Sequence, residues 1–246
     1  MIQLKDYSTK PPKSLSKKEG RALTKDLADR IGELQNLLLA EQKYAVLVIL
    51  QGMDGSGKDG GVRNVFKECT ANGLSVYSFK KPTDEEFAHD FLWRVHKQVP
   101  GKGEIKVFNR SHYEDVLIQR VHAWIDEEAV DRRFDAINAF EKLLSEDNNT
   151  IIFKFYLHIS HEQQEIELNE RINESDKHWK HNSNDWKERE HWDEYMRCYE
   201  DVLNRSTIPW TIVPVDSRWY RDYIMAKTIV ERLEKLNMKY PPLKED

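Results

Sequence analysis

The stretch Gln51-Gly52-Met53-Asp54-Gly55-Ser56-Gly57-Lys58-Asp59-Gly60-Gly61 constrains the chain more than any other. An apolar run, Tyr44-Ala-Val-Leu-Val-Ile-Leu50, precedes it, and a helix-like stretch from about Gly61 to Cys69 follows. Strand, glycine-rich turn, lysine and helix make the layout of a phosphate-binding loop. Glycines let the backbone curl so that successive N–H groups point inward at anionic oxygens. The helix that follows turns its positive end to the same oxygens. Gly52, Gly57 and Lys58 fit the spacing G-x-x-x-x-G-K. Gly55, Ser56 and Gly57 supply the cradle, and Lys58 adds a mobile cation.

The position after the lysine departs from the pattern. Asp59 stands where a Ser or Thr hydroxyl would ligate magnesium, and Asp54 adds a second carboxylate inside the loop. Two carboxylates beside a polyanion repel it unless a divalent cation lies between them. Asp54 and Asp59 are therefore read as magnesium ligands, direct or through water, with manganese as the substitute ion.

The chain has 246 residues, the size of one α/β domain with an insertion. With 38 basic and 43 acidic residues its net charge is −5, which argues against a general nucleic-acid or membrane-surface binder. Any anion site must be a focused cluster. Cys69 and Cys198 are too few for a disulfide framework or a zinc site. No signal peptide is visible, and no run approaches the roughly 18 apolar residues of a membrane span. A cytoplasmic protein is expected.

Residues 1–42 read as an extended arm followed by a helix from Ser16 to Glu41, with Leu23, Leu27, Ile31, Leu34, Leu37 and Leu38 at helical spacing. Tyr44–Gln51 barely alternates, as a strand buried on both faces does. Leu74–Phe79 is a second strand, ending in Lys80 and Lys81. Ligands sit beyond the carboxyl ends of strands in an open parallel sheet, so both lysines are candidate phosphate contacts. Thr83 caps a helix expected over Glu85–Val99. Ile105–Phe108 is a third strand.

Asn109-Arg110-Ser111-His112-Tyr113-Glu114-Asp115 stands directly after it. In phosphate-loop kinases this strand end supplies a carboxylate for magnesium and often an arginine for a substrate phosphate. Asn109 occupies the carboxylate position and is kept as a substrate contact. Glu114 and Asp115, about one turn into the expected helix 111–124, could supply the missing charge. Arg110 is placed to hold an acceptor phosphate bidentately, with Arg120 further along. His112 and Tyr113 read as packing residues.

A helix over Asp126–Ser145, a strand over Thr150–Leu157 and a helix from Ser160 or His161 follow. Residues 171–190 then turn dense in cations, aromatics and polar turn residues, the profile of a mobile lid. Arg171, Lys177, Lys180 and Arg189 are expected to close over a phosphate chain and expel water. A helix Asp185–Asn204, a fifth strand Trp210–Val215 with Pro214 marking an end or edge, and a last helix complete the chain. Arg218 and Arg221 fall at that strand end and are weighed as minor substrate contacts. Alternating strands and helices imply a parallel sheet with helices on both faces. A phosphate loop, a nearby arginine and a basic lid point to phosphoryl transfer, with Asp54, Lys58, Arg110 and Arg171 as the catalytic set.

Gly52-Met-Asp-Gly-Ser-Gly-Lys-Asp-Gly-Gly61, Phe108-Asn-Arg-Ser-His-Tyr-Glu-Asp-Val-Leu117 and Asp176-Lys-His-Trp-Lys180 resemble the polyphosphate kinase 2 family. The resemblance runs from about residue 12 to 235. Other members carry Asp-Arg-Ser where this chain has Asn109-Arg110-Ser111; the Asn form is similar to the subgroup that phosphorylates both AMP and ADP. The resemblance implies one domain over 1–246 with a thymidylate-kinase-like fold. It also implies reversible, magnesium-dependent transfer from inorganic polyphosphate to AMP and ADP, giving ADP and ATP. Guanine nucleotides as further acceptors and a homo-oligomer belong to the same expectation. An ATP-dependent nucleotide or small-molecule kinase on the same fold is the alternative, and a non-catalytic phosphate-binding module a second one.

Overall fold

The computed structural model describes residues 1–243. Its centre is β1 (Ala45–Gln51), in which every residue is buried. β3 (Ile105–Asn109) lies on one side of β1 and β4 (Thr150–His158) on the other. β2 (Leu74–Ser78) pairs outside β3, and β5 (Thr211–Pro214) outside β4. The five strands run parallel in the order β2-β3-β1-β4-β5. The strand order therefore reverses about β1, and an open α/β sheet forms its crevice beyond the carboxyl ends at such a point. The register sets Leu50 beside Asn109 and Gln51 beside Tyr156, so the glycine loop and the Asn109 turn leave the sheet side by side.

Helices cover both faces. α1 (Lys17–Glu41) starts at a capping box between Ser16 and Glu19 and stops at Gln42, whose φ is 49°. Its buried stripe, including Ile31, Leu34 and Leu38, packs beside α10 (Arg218–Glu234). Fully burying such a side chain contributes about 1.5–3 kcal/mol. α2 (Lys58–Val65) completes that layer. On the other face lie α6 (Glu127–Asp147) and α9 (Trp192–Arg205). β4 divides its side chains between the layers. Lys154 reaches Glu141 of α6 at 2.6 Å and the Tyr156 ring meets Tyr199 of α9, while Arg232 of α10 lies over Phe153.

Several expected elements are shorter than the periodicity suggests, for local reasons. The helix expected over Glu85–Val99 is two single turns, α3 (Asp84–Phe87) and α4 (Trp93–His96). Thr83 does cap the first, but the Asp90 carboxylate accepts the Leu92 N–H and diverts the chain between them. The helix expected over 111–124 is a 3-10 turn, His112–Val116, and α5 (Ile118–Val121). Arg133 donates to the Asp115 carbonyl at 2.7 Å and so draws that oxygen out of a helical ladder. The helix over Asp185–Asn204 breaks at His191 into α8 (Ser183–Glu190) and α9. Pro214 does lie on an edge strand. The N-terminal arm is docked: the Leu4 side chain is buried and its N–H donates to Glu200, while Thr9 exchanges hydrogen bonds with Asp216. Among the described residues no helix is long and apolar enough to cross a membrane.

Candidate active site

Beyond the carboxyl ends of the strands lies a cavity of about 650 Å³. The glycine loop and α2 form its floor. Arg110 stands on one wall, α7 (His161–Asn173) and the 3-10 turn Ser175–Lys180 on another, and the start of α10 closes it. Eight basic and five acidic side chains line it, although the whole chain is acidic.

The loop's curl rests on Gly55 (φ 86°) and Gly57 (φ 83°), left-handed positions that glycine adopts without strain. A Cβ on Gly57 would also fall 2.1 Å from the Arg221 guanidinium, which donates to the Gly57 carbonyl at 2.9 Å. Lys58 opens α2. Its ammonium donates to the Gly52 and Met53 carbonyls at 2.7 and 3.1 Å. Burial, reinforced by the Arg110 charge, lowers its pKa from the ordinary 10.5 to about 8.

Arg110 follows β3 with φ at 61°, a left-handed conformation that costs any residue with a Cβ some energy. Its N–H donates to the Leu50 carbonyl, which ties the turn to the end of β1. The guanidinium reaches Asp54 Oδ1 at 2.5 Å and Glu114 Oε2 at 3.3 Å. Burial alone would raise the Asp54 pKa; the Arg110 and Lys58 charges outweigh it and hold this carboxyl below the usual range. Glu114 and Asp54 in turn keep Arg110 charged. Behind the pair, the Gln51 amide satisfies both neighbours when its NH2 group faces Glu114 Oε1 at 2.9 Å and its oxygen faces Ser111. Asn109 donates to Asp59 Oδ1 at 2.6 Å, so the residue in the carboxylate position steers a carboxylate.

On α7, Glu167, Glu170 and Arg171 are spaced to share one face. Arg171 pairs with Asp185 of α8 at 2.5 Å. Burial and the nearby Asp54 charge still push the Asp185 carboxyl above its ordinary value. Glu170 is shared by Lys177 at 2.6 Å and Arg218 at 2.7 Å, and Lys180 stands 3.9 Å from Asp59. Basic side chains from four segments thus converge on one space, and several are paired with a carboxylate: Arg110 with Asp54, Arg171 with Asp185, and Lys177 and Arg218 with Glu170.

The chain matches a known group of proteins. A family model described as Polyphosphate kinase 2 (PPK2) covers residues 14–241. The chain belongs to the polyphosphate kinase 2 family. A relative from Meiothermus ruber, named AMP/ADP-polyphosphate phosphotransferase, is 44% identical over 215 residues, 86% of this chain and 80% of that one. An ADP-polyphosphate phosphotransferase from Rhodopseudomonas palustris is 40% identical over 241 residues, 92% of this chain and 83% of that one. The crystal structure of Polyphosphate Kinase 2 from Arthrobacter aurescens TC1 superposes with a TM-score of 0.95 at 38% identity, over 100% of this chain and 89% of that one.

In this polyphosphate kinase 2 chain the cavity wall includes Asp54, Gly55, Gly57, Lys58, Asp59, Asn109, Arg110, Arg171, Lys177 and Lys180 of the residues expected from sequence. Others lie elsewhere. Asp115 is buried, receives the Gln119 amide and stands 3.7 Å from Arg94, so it faces away from the phosphate loop. Burial raises its pKa from 3.8 to about 6 against the pull of Arg94. Glu114 stands behind the Arg110 guanidinium, off the wall. Arg120 is tied to Glu127 and Asp201. Lys80 and Lys81 are exposed beyond the edge strand β2, with β3 between them and the loop. Ser56 turns its side chain into the protein, and its N–H donates to the Met53 carbonyl. Arg189 donates to the His161 carbonyl, Gln164 and Glu165 rather than into the cavity.

Nine further residues line the wall, among them Arg63, Trp179, and Arg218 and Arg221, which the sequence offered as minor substrate contacts. A signal for three of them was present. Arg63 lies four residues after Asp59 and so on its helix face, and Arg218 and Arg221 follow a strand end. Nothing local distinguishes Trp179, 78% exposed, from a solvent-facing lid residue.

A divalent cation fits this wall. Asp54 and Asp59 offer hard oxygen donors beside the phosphate loop, and Asp54 is held ionised. Among the described residues no three His, Cys, Asp or Glu side chains form a cage. A hard cation held by one or two carboxylates plus substrate phosphates needs none.

Proposed function

We propose that the protein transfers the terminal phosphoryl group of inorganic polyphosphate to AMP and to ADP, reversibly and with magnesium. The observation that carries this reading is the lining of the cavity: eight basic side chains around a phosphate loop, with Trp179 as the one aromatic among the described lining residues. An ATP donor working on a nucleotide acceptor asks for a second base-binding surface, whereas polyphosphate asks only for a cationic groove. The acceptors follow from the family and from the Meiothermus ruber relative, whose name gives both AMP and ADP.

The chemistry needs little beyond positioning and charge. A terminal phosphate oxygen of the nucleotide attacks the end phosphorus of polyphosphate. The bridging P–O bond breaks, and the shortened chain leaves as a phosphate oxyanion. The attacking oxygen is already ionised, so no general base is required. Lys58 and the loop amides hold the polyphosphate end and stabilise charge on the group in transit. Arg110 orients the acceptor phosphate in line, and Arg171 neutralises it from the opposite wall. Magnesium, held by Asp54 and Asp59, supplies further charge neutralisation when bound. Residues 171–190 act as a lid within a single domain: Lys177, Lys180 and Arg218 exchange their carboxylate partners for phosphate oxygens as the chain enters. Guanine nucleotides as further acceptors, a homo-oligomeric assembly and a cytoplasmic location rest on the family resemblance.

Product analysis tests this. Purified protein, magnesium and long-chain polyphosphate are mixed with AMP in one tube and ADP in another, with no ATP added. The expected products are ADP then ATP from AMP, and ATP from ADP. ATP from ADP alone overturns the dual-acceptor reading; product only when ATP replaces polyphosphate makes the protein an ATP-dependent kinase.

A further inference from the structure

Gln164 lies in the first turn of α7, behind the cavity, and its side chain is fully buried. Both ends of its amide are engaged. The NH2 group donates to the Asp54 carbonyl oxygen at 2.9 Å, and the amide oxygen accepts from Arg189 at 2.9 Å. Arg189 belongs to α8 and is fixed by the His161 carbonyl at 2.7 Å and the Glu165 carboxylate at 2.9 Å. One buried amide therefore joins the phosphate loop to the last turn of the segment 171–190. The contact is close, since a Cβ on Gly55 would meet Gln164 Cγ at 3.4 Å.

The consequence for the loop follows from peptide geometry. The described backbone contains no cis bond, and in a trans peptide the carbonyl and the following N–H point in opposite directions. Holding the Asp54 oxygen toward α7 sends the Gly55 N–H the other way. Asp54 and Gly55 both line the cavity. A loop that cradles phosphate needs its N–H groups fixed in one direction before the ligand arrives.

We propose that Gln164 is a positioning residue. It orients the Asp54–Gly55 peptide of the phosphate loop, and through Arg189 it makes that orientation depend on the seating of the segment 171–190. The inference rests on the reading of the site as a phosphoryl-transfer centre and of that segment as a lid. Cavity floor and lid then change together: a lid that is out of place releases the loop peptide.

Three variants separate the two ends of the amide. Gln164→Glu keeps an acceptor for Arg189 but has no donor for the Asp54 carbonyl. Gln164→Leu removes both bonds, and Arg189→Met removes the lid side of the link, its bonds to the His161 carbonyl and Glu165 included, while leaving the Gln164 bond to the loop in place. With polyphosphate and AMP, Gln164→Glu is expected to lower kcat about ten-fold, the worth of one hydrogen bond, with KM for AMP within about two-fold. The double variant Gln164→Leu/Arg189→Met is expected to lose no more than Gln164→Leu alone. Hydrogen exchange of peptides spanning 52–58 gives a readout free of any donor: Arg189→Met is expected to speed exchange there although it touches no loop atom. Wild-type kcat in Gln164→Glu, multiplied losses in the double variant, or unchanged loop exchange in Arg189→Met overturns the proposal. If Gln164→Leu fails to fold, Arg189→Met still carries the exchange test. Absence of polyphosphate-dependent turnover in the wild type overturns the functional reading instead, and leaves the exchange result to decide this one.

Discussion

Lys58 and Arg110 show how much a side chain's chemistry here depends on where the backbone puts it. Lys58 is a loop lysine whose burial brings its pKa to about 8, so its charge is lost just above neutral pH. We expect kcat/KM for polyphosphate to fall as pH rises through about 8, since kcat/KM reports groups of the free enzyme. A profile flat to pH 9.5 contradicts a role for the ammonium. Stability runs the other way. The folded pKa lies below the unfolded 10.5, so this group's contribution is present above 10.5 and lost as pH falls through about 8. Lys58→Ala should leave thermal unfolding near wild type and lower kcat by about 10²–10³, the scale of one charge-stabilising donor. The spacing G-x-x-x-x-G-K made Lys58 legible without a structure. Arg221 was less legible, because its approach to Gly57 joins residues on α10 and on the loop that no local pattern connects.

At the scale of elements, the segment 171–190 is held by a few polar contacts rather than by a core. The Arg171–Asp185 pair pins α8 to the end of α7, and His122 and Tyr195 hold Glu188. Asp185→Asn weakens the first of these. Hydrogen bonds to charged groups contribute about 1.5–3 kcal/mol, so trypsin should cleave within 174–182 at least about ten-fold faster, with KM for polyphosphate raised and the global midpoint little changed. An unchanged cleavage rate would mean that the pair does not seat the segment. The opposite case is the join of β4 and α6 beneath the Arg110 turn. Lys154 donates to Glu141 at 2.6 Å and to the Tyr113 hydroxyl at 2.7 Å, and His112 faces the same carboxylate. Burial would raise the Glu141 pKa, but the His112 hydrogen bond and the Lys154 charge hold it below the ordinary value. Lys154→Met leaves that carboxylate without a cation, and breaking a buried pair costs about 3–5 kcal/mol. Urea unfolding should show a loss of that size; a loss below about 1 kcal/mol would mean that Glu141 takes up a proton at little cost.

For the whole molecule the decisive contrast is between a net charge of −5 and a cavity lined by eight basic against five acidic side chains. Such a field steers a polyanion to one place while the rest of the surface repels it. Exposed charges are screened beyond about 8–10 Å at moderate salt. We therefore expect KM for long-chain polyphosphate to rise several-fold between 50 and 300 mM added salt (about that range spans strong to weak screening) and KM for AMP to rise less. Equal responses would argue that the two substrates meet the same local field. The sheet order β2-β3-β1-β4-β5 makes this focusing possible by bringing the loop after β1, the turn after β3, α7 and the start of α10 to one end of the sheet.

The amino-acid sequence by itself determined the parallel α/β plan and the phosphate loop, and it singled out Asp54, Lys58, Arg110 and Arg171, which the structure brings to one cavity, because each stands in a pattern of residues close together along the chain. Apolar runs specify strands, glycines specify turns, and a motif of ten residues carries its own geometry. The tertiary structure alone decided which charges face one another. Asp115 follows Glu114 in sequence yet turns to Arg94, and Arg189 spends its donors on α7. Lys80 and Lys81 end a strand, but that strand lies at the edge of the sheet. Side-chain direction at a turn, and the rank of a strand within a sheet, are fixed by packing between distant segments, so no local pattern could have given them.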